Sequence, residues 1–186
     1  DNVAQEIKNE NDKKDARRVY DSPSKGVLWG WEVPSYVLTK AIATGTFLMM
    51  HIWKILNSGI SQSTEFTGLM ITIFFMALTG ALLVMDLDRP DRFLYVLLRP
   101  QWKSWLVRGA YIITVFAGIV SLKIIDNIFQ LNLDWLWYFG SLFSMFGAIY
   151  TAFLFNQARA RDLWQTPMQS AFHMLIHAIM AGAISL

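Results

Sequence analysis

The sequence predicts an all-α protein, a polytopic transmembrane helical bundle with about five spans. Two observations carry that prediction. The first is a series of long runs without formal charge. Residues 66–85 hold none, nor do 135–158, and 163–186 carry only two histidines. The segment 33–53 is apolar apart from Lys40 and His51, and 109–122 is a shorter run with apolar flanks. A hydrocarbon core about 30 Å thick needs about 20 such residues in a helix. The second is the placing of the aromatics, which make up 15% of the chain. Trp29, Trp31 and Tyr36, then Trp102 and Trp105, then Trp135, Trp137 and Tyr138, then Trp164, gather at the ends of the apolar runs. That is the girdle expected at the two interfaces of a bilayer.

The elements follow in order. Residues 1–30 form a polar arm in which six Lys/Arg balance six Asp/Glu, too poor in apolar residues for a core of its own. Helix one is expected over 34–56, with Pro34 in its first turn. Helix two is expected over 65–86, after the polar loop 57–64. Helix three follows over 104–125, then a second loop over 123–134. Helix four runs over 134–157, and helix five from 167 onward. The expected organisation is a cytoplasmic arm (1–30), an antiparallel four-helix bundle (31–160) and a fifth helix (161–186) that begins a second bundle. The last span stops at Ala-Ile-Ser-Leu186 without a polar tail, which reads as a truncated chain.

Charge sets the expected orientation. Arg89, Arg92, Arg99, Lys103, Arg108, Arg159 and Arg161 fall on the side of the arm, and only Lys54 and Lys123 on the other. The positive-inside rule puts the arm in the cytoplasm. The net charge of +2 gives no footprint for nucleic acid. With no cysteine, the chain offers no thiolate ligand for an iron–sulfur cluster. Small residues at four-residue spacing, Ala41 with Gly45, Gly140 with Ser144, Gly147 with Thr151 and Ala178 with Gly182, mark places where helix backbones can approach closely.

Charge inside a membrane marks candidate function. The densest cluster is Asp86-Leu-Asp-Arg-Pro-Asp-Arg-Phe93, followed by Ser104-Trp and Arg108-Gly-Ala110. Alternating charges at a helix end can satisfy one another and pin a boundary loop; they can equally admit protons. This double motif, with Trp29-Gly-Trp-Glu-Val-Pro-Ser-Tyr36 and Thr39-Lys-Ala-Ile-Ala-Thr-Gly45 ahead of it, resembles the signature of the NrfD-like family, the membrane subunits of polysulfide-reductase-type complexes. Two departures are Asp88, where glycine is usual, and length, since the family has eight or more spans. The resemblance implies a cofactor-free helical subunit of the bacterial inner membrane that binds quinone as a substrate and carries no haem. It implies electron exchange with a separate iron–sulfur subunit, attached to molybdopterin-type or cytochrome subunits.

Individual residues then acquire two readings each. Arg92 and Arg108 are structural members of the signature. Asp86, Asp88 and Arg89 are proton-path candidates or ion-paired loop residues. Lys40, about 9 Å into helix one at 1.5 Å per residue, either snorkels to the arm-side surface or sits buried on a proton path. His51, near the far face, is either interfacial or the group that bonds a quinone carbonyl and passes its proton; the resemblance puts a quinone pocket on that side. His173 and His177, at i and i+4, share one face. They suit a proton relay or helix-packing hydrogen bonds, and not axial haem ligation, which needs ligands on opposite sides of the iron. Competing functions are a transporter or channel fragment moving ions or protons, disfavoured because the prolines sit at span boundaries, and a cytochrome b-type anchor, disfavoured by the histidine spacing.

Overall fold

The computed structural model describes residues 31–57, 59–85, 101–102, 104–157 and 166–186. The polar arm and the 86–93 loop, with Asp86, Asp88, Arg89 and Arg92, lie outside the described residues. So do Lys103, Arg159, Arg161 and Asp162.

Five helices make up the described structure: α1 (Glu32–Leu56), α2 (Gln62–Met85), α3 (Trp105–Phe129), α4 (Trp135–Gln157) and α5 (Pro167–Ser185). Three of them, α2, α3 and α4, are long and apolar enough to cross a membrane by length and composition. α1 has 25 residues and carries buried polar groups; α5 has 19, about 28 Å at 1.5 Å per residue.

Successive helices run antiparallel, as their contacts show. Thr79 of α2 donates to Thr39 of α1 at one end, while Gly68 meets Met50 at the other. Gln62 of α2 reaches Asn127 near the end of α3, and Gly109 near the start of α3 faces Tyr150 of α4. α4 closes the ring against α1, with Ser144 donating to the Thr44 carbonyl at 2.6 Å. This is an up-down bundle, with short connections at 57–61 and 130–134. Its core gathers Phe47, Met50, Leu69, Phe116, Val120 and Trp137 from all four helices.

α5 docks on α1 and α4 rather than standing away from them. The small residues explain how. A Cβ on Gly45 would collide with the Ala178 carbonyl, and one on Gly182 with the backbone of Gly45. The two helices therefore touch backbone to backbone, which only glycine permits here. A second cluster of Tyr36, Phe155, Ala171 and Met174 completes the seam.

The boundaries differ from the sequence expectation at two places. α2 begins at Gln62, not 65, because Ser61 caps it: its Oγ accepts the Thr64 amide at 3.2 Å. α3 runs to Phe129, so Lys123 is not in a loop. Ile124, Ile125, Ile128 and Phe129 continue the apolar helix, and Lys123 is buried with its charge paired. The helix ends at Gln130, which adopts the left-handed conformation (φ 55°, ψ 46°).

Candidate functional site

Polar side chains gather at the end of the bundle away from the arm. The α3–α4 turn builds part of the cluster. Asp126, one turn before the end of α3, accepts the Leu133 amide at 2.9 Å and an ion-paired hydrogen bond from Lys123. Lys123 also meets Glu65 of α2 at 3.4 Å. Lys123 and Asp126 are 3% and 4% exposed, so both charges are desolvated and depend on each other. With Gln62, Asn127 and Gln130 they line a polar cavity of about 270 Å³.

Beside it, α1 and α4 enclose a cavity of about 310 Å³ lined by His51, Lys54, Ile55, Asp134, Trp137 and Tyr138. His51 is 8% exposed and belongs to the bundle interior. Its Nδ1 lies 2.5 Å from the Ser141 hydroxyl, leaving Nε2 as the ring nitrogen open to a ligand. The imidazole stacks on Trp137 (5.7 Å between centroids, 21°) and meets Tyr138 edge-on at 5.1 Å. Trp137 is buried, and its indole N–H has no hydrogen-bond partner among the described residues. A buried donor without a partner is costly unless something completes it.

Lys54 and Asp134 line both cavities and bond each other at 2.5 Å. That hydrogen bond and the ammonium charge hold the Asp134 carboxyl below the usual carboxylate range. The Lys54 and Lys123 ammonium groups lie 5.3 and 5.1 Å from the Trp137 ring, so two cations lie near the indole.

Lys40 is elsewhere. It does not snorkel: it is 1% exposed, between α1 and α4. Its ammonium donates to Thr151 Oγ1 and to the Ala148 carbonyl at 3.4 Å, with the Tyr150 ring 4.6 Å away. No carboxylate faces it among the described residues. The α1–α4 seam thus carries polar pairs at four levels, Lys40–Thr151, Thr44–Ser144, His51–Ser141 and Lys54–Asp134, with Phe47 packed on Gly140 between the second and third.

The remaining sequence candidates do not join this site. His173 and His177 are in ring contact, 4.1 Å between centroids, but both are exposed on the outer face of α5. Arg108 is at the opposite end of the bundle, exposed, its Nε donating to the Trp102 carbonyl at 2.7 Å and its guanidinium 4.8 Å from the Trp105 ring. Among the described residues no group of three or more His, Cys, Asp or Glu could hold a metal.

Sequence reasoning singled out His51 and not most of its surroundings. Ser141 and Trp137 are ordinary membrane-helix residues by composition, and only the register of α4 against α1 makes them relevant. Glu65, Lys123 and Asp126 did carry a signal: Lys123 and Asp126 are spaced for one helix face, within an apolar pattern that continues past them.

Compared with known proteins, residues 21–186 match the family model described as polysulphide reductase, NrfD. No curated protein and no solved structure gives a significant match.

Proposed function

Because the chain belongs to the NrfD family of polysulphide reductase membrane subunits, we propose that it is the quinone-interacting membrane anchor of a multi-subunit respiratory oxidoreductase. On this reading it lies in the bacterial inner membrane with its amino-terminus in the cytoplasm. Quinone reacts in the His51 cavity, and electrons pass between the quinone pool and an iron–sulfur subunit docked at that end. That subunit connects in turn to a molybdopterin-type or cytochrome subunit.

The observation that carries the reading is the pairing of His51 with a cavity at one end of the bundle whose wall is part aromatic and part charged. A small-molecule site is a concave, mostly apolar space with a few placed polar groups. Here Ile55, Trp137 and Tyr138 supply apolar wall, and His51 and Lys54 supply donors. A quinone has two carbonyl oxygens and needs donors for them; a quinol has two hydroxyl protons to give up. His51 bonds one oxygen through Nε2 while Ser141 fixes the ring, and the imidazole takes or gives the proton at that oxygen. The Lys54–Asp134 pair then hands protons between this cavity and the polar one beside it.

Lys40 and the hydroxyl-lined α1–α4 seam support a further proton route towards the arm side. This part of the reading extends the function to proton translocation.

The test is the His51→Ala variant in the assembled complex. Losing one hydrogen bond costs about 0.5–1.5 kcal/mol, more if proton transfer also fails, so quinol-coupled turnover should fall by about three- to tenfold or more. Assembly and artificial-dye activity of the partner subunits should stay normal. Unchanged quinol kinetics would remove His51 from the site.

A further inference from the structure

At the arm end, away from the His51 cavity, the outer side of the α3–α4 seam holds a groove of about 650 Å³. Its lining changes along the bundle axis. At the mouth stand Trp102, Trp105 and Arg108, in the first turn of α3 or just before it. Deeper, Val115, Phe143 and Phe146 leave only apolar surface. Val115 and Phe146 are 41% and 42% exposed, so the deep part opens to the outside of the bundle. Arg108 and Val115 are seven residues apart, about 10 Å along a helix.

We propose that this groove binds an anionic phospholipid, with its phosphate on Arg108 and an acyl chain against Val115, Phe143 and Phe146. Three observations choose that occupant. Arg108 is the one charged side chain among the lining residues, and it is a cation. It sits at the level of the aromatic girdle, where headgroups lie. It is also held in place, because its Nε–H is used by the Trp102 carbonyl and its plane rests by Trp105. A fixed guanidinium presents its remaining N–H groups as a fork that suits phosphate oxygens. An exposed cation at the rim of an almost wholly apolar groove matches an amphiphile standing parallel to the helices. The walls are rigid: Trp105 stacks on Phe153 at 4.6 Å and Trp102 lies 5.0 Å from Tyr111. This proposal depends on the chain being in a membrane and not on the quinone reading.

The experiment uses the purified complex in nanodiscs containing phosphatidylglycerol and phosphatidylcholine, followed by native mass spectrometry. Phosphatidylglycerol should be retained in preference to phosphatidylcholine. Arg108→Gln should lower that retention about tenfold or more, in line with a lost charge-assisted hydrogen bond, and Arg108→Lys should keep part of it. Val115→Trp, which fills the deep groove with Arg108 intact, should also displace the lipid. A diazirine-bearing phosphatidylglycerol should label peptides around Phe143 and Phe146. Retention unchanged in both Arg108→Gln and Val115→Trp would overturn the proposal. So would loss of subunit assembly in either variant with lipid retention unchanged, because the seam would then be a helix-docking surface or Arg108 a loop-pinning residue.

Discussion

Among the described residues two lysines are buried, and they are satisfied in opposite ways. Lys123 stands near the far end between Glu65 and Asp126, so its charge is neutralised by carboxylates. Lys40 lies deeper, between a threonine hydroxyl, a backbone carbonyl and an aromatic ring. The first arrangement ties α2 to α3 and to the turn that follows α3, and resists change. The second holds its ammonium with neutral acceptors only, among the described residues. The same contrast separates the two ends of the α1–α4 seam. The far end has paired charges facing cavities; the middle has hydroxyls.

Lys123→Ala should break this contrast most severely. It leaves Glu65 and Asp126 buried without their cation, at a cost of about 3–5 kcal/mol. Thermal unfolding of the purified complex should show a large loss of stability. Lys40→Met, which replaces a buried charge by an apolar group of similar length, should leave stability nearly unchanged. Equal damage from the two substitutions would erase the distinction.

Gly182→Val comes next. A side chain there meets the backbone of Gly45, so α5 must move off α1, at about 1–3 kcal/mol or more. Cross-linking between cysteines introduced on α1 and α5, in a chain that has none of its own, should decrease.

Thr151→Val should cost about 1–2 kcal/mol, because it removes an acceptor from Lys40 without removing the ammonium. Combining it with Lys40→Met should restore most of that loss. A fully additive double variant would mean the two side chains do not interact.

The smallest effect is the pH dependence of Lys54–Asp134. Asp134 is held below the usual carboxylate range, so the fold favours its ionised form. The stabilisation is present above the unfolded value of about 3.9 and is lost as pH falls through the lower folded value. Asp134 is 71% exposed, which limits the gain to about 1 kcal/mol. Asp134→Asn should remove this acid-side slope.

The fold was largely legible in the chain because membrane spans announce themselves by length and lack of charge. Pro167 opens α5 as expected, and the Gly45 and Gly182 spacing anticipated a close approach. The end of α3 was misread because Lys123 and Asp126 look like loop residues until Glu65 is known to face them. Lys40 could not be placed from sequence, since snorkelling and burial use the same residue at the same depth. His51 was visible as a lone imidazole near a span end. Its partner Ser141 and its stacking neighbour Trp137 are 90 and 86 positions away, and only the antiparallel register of α4 brings them together.

The most direct test of quinone binding at the far end is photolabelling with an azido-quinone analogue in the assembled complex. Label mapped to the α1 and α4 peptides around His51, Ile55 and Tyr138, and lost on competition with the native quinone, is the predicted result. Competable label on the His173 and His177 face of α5 instead, with none on α1, would contradict it.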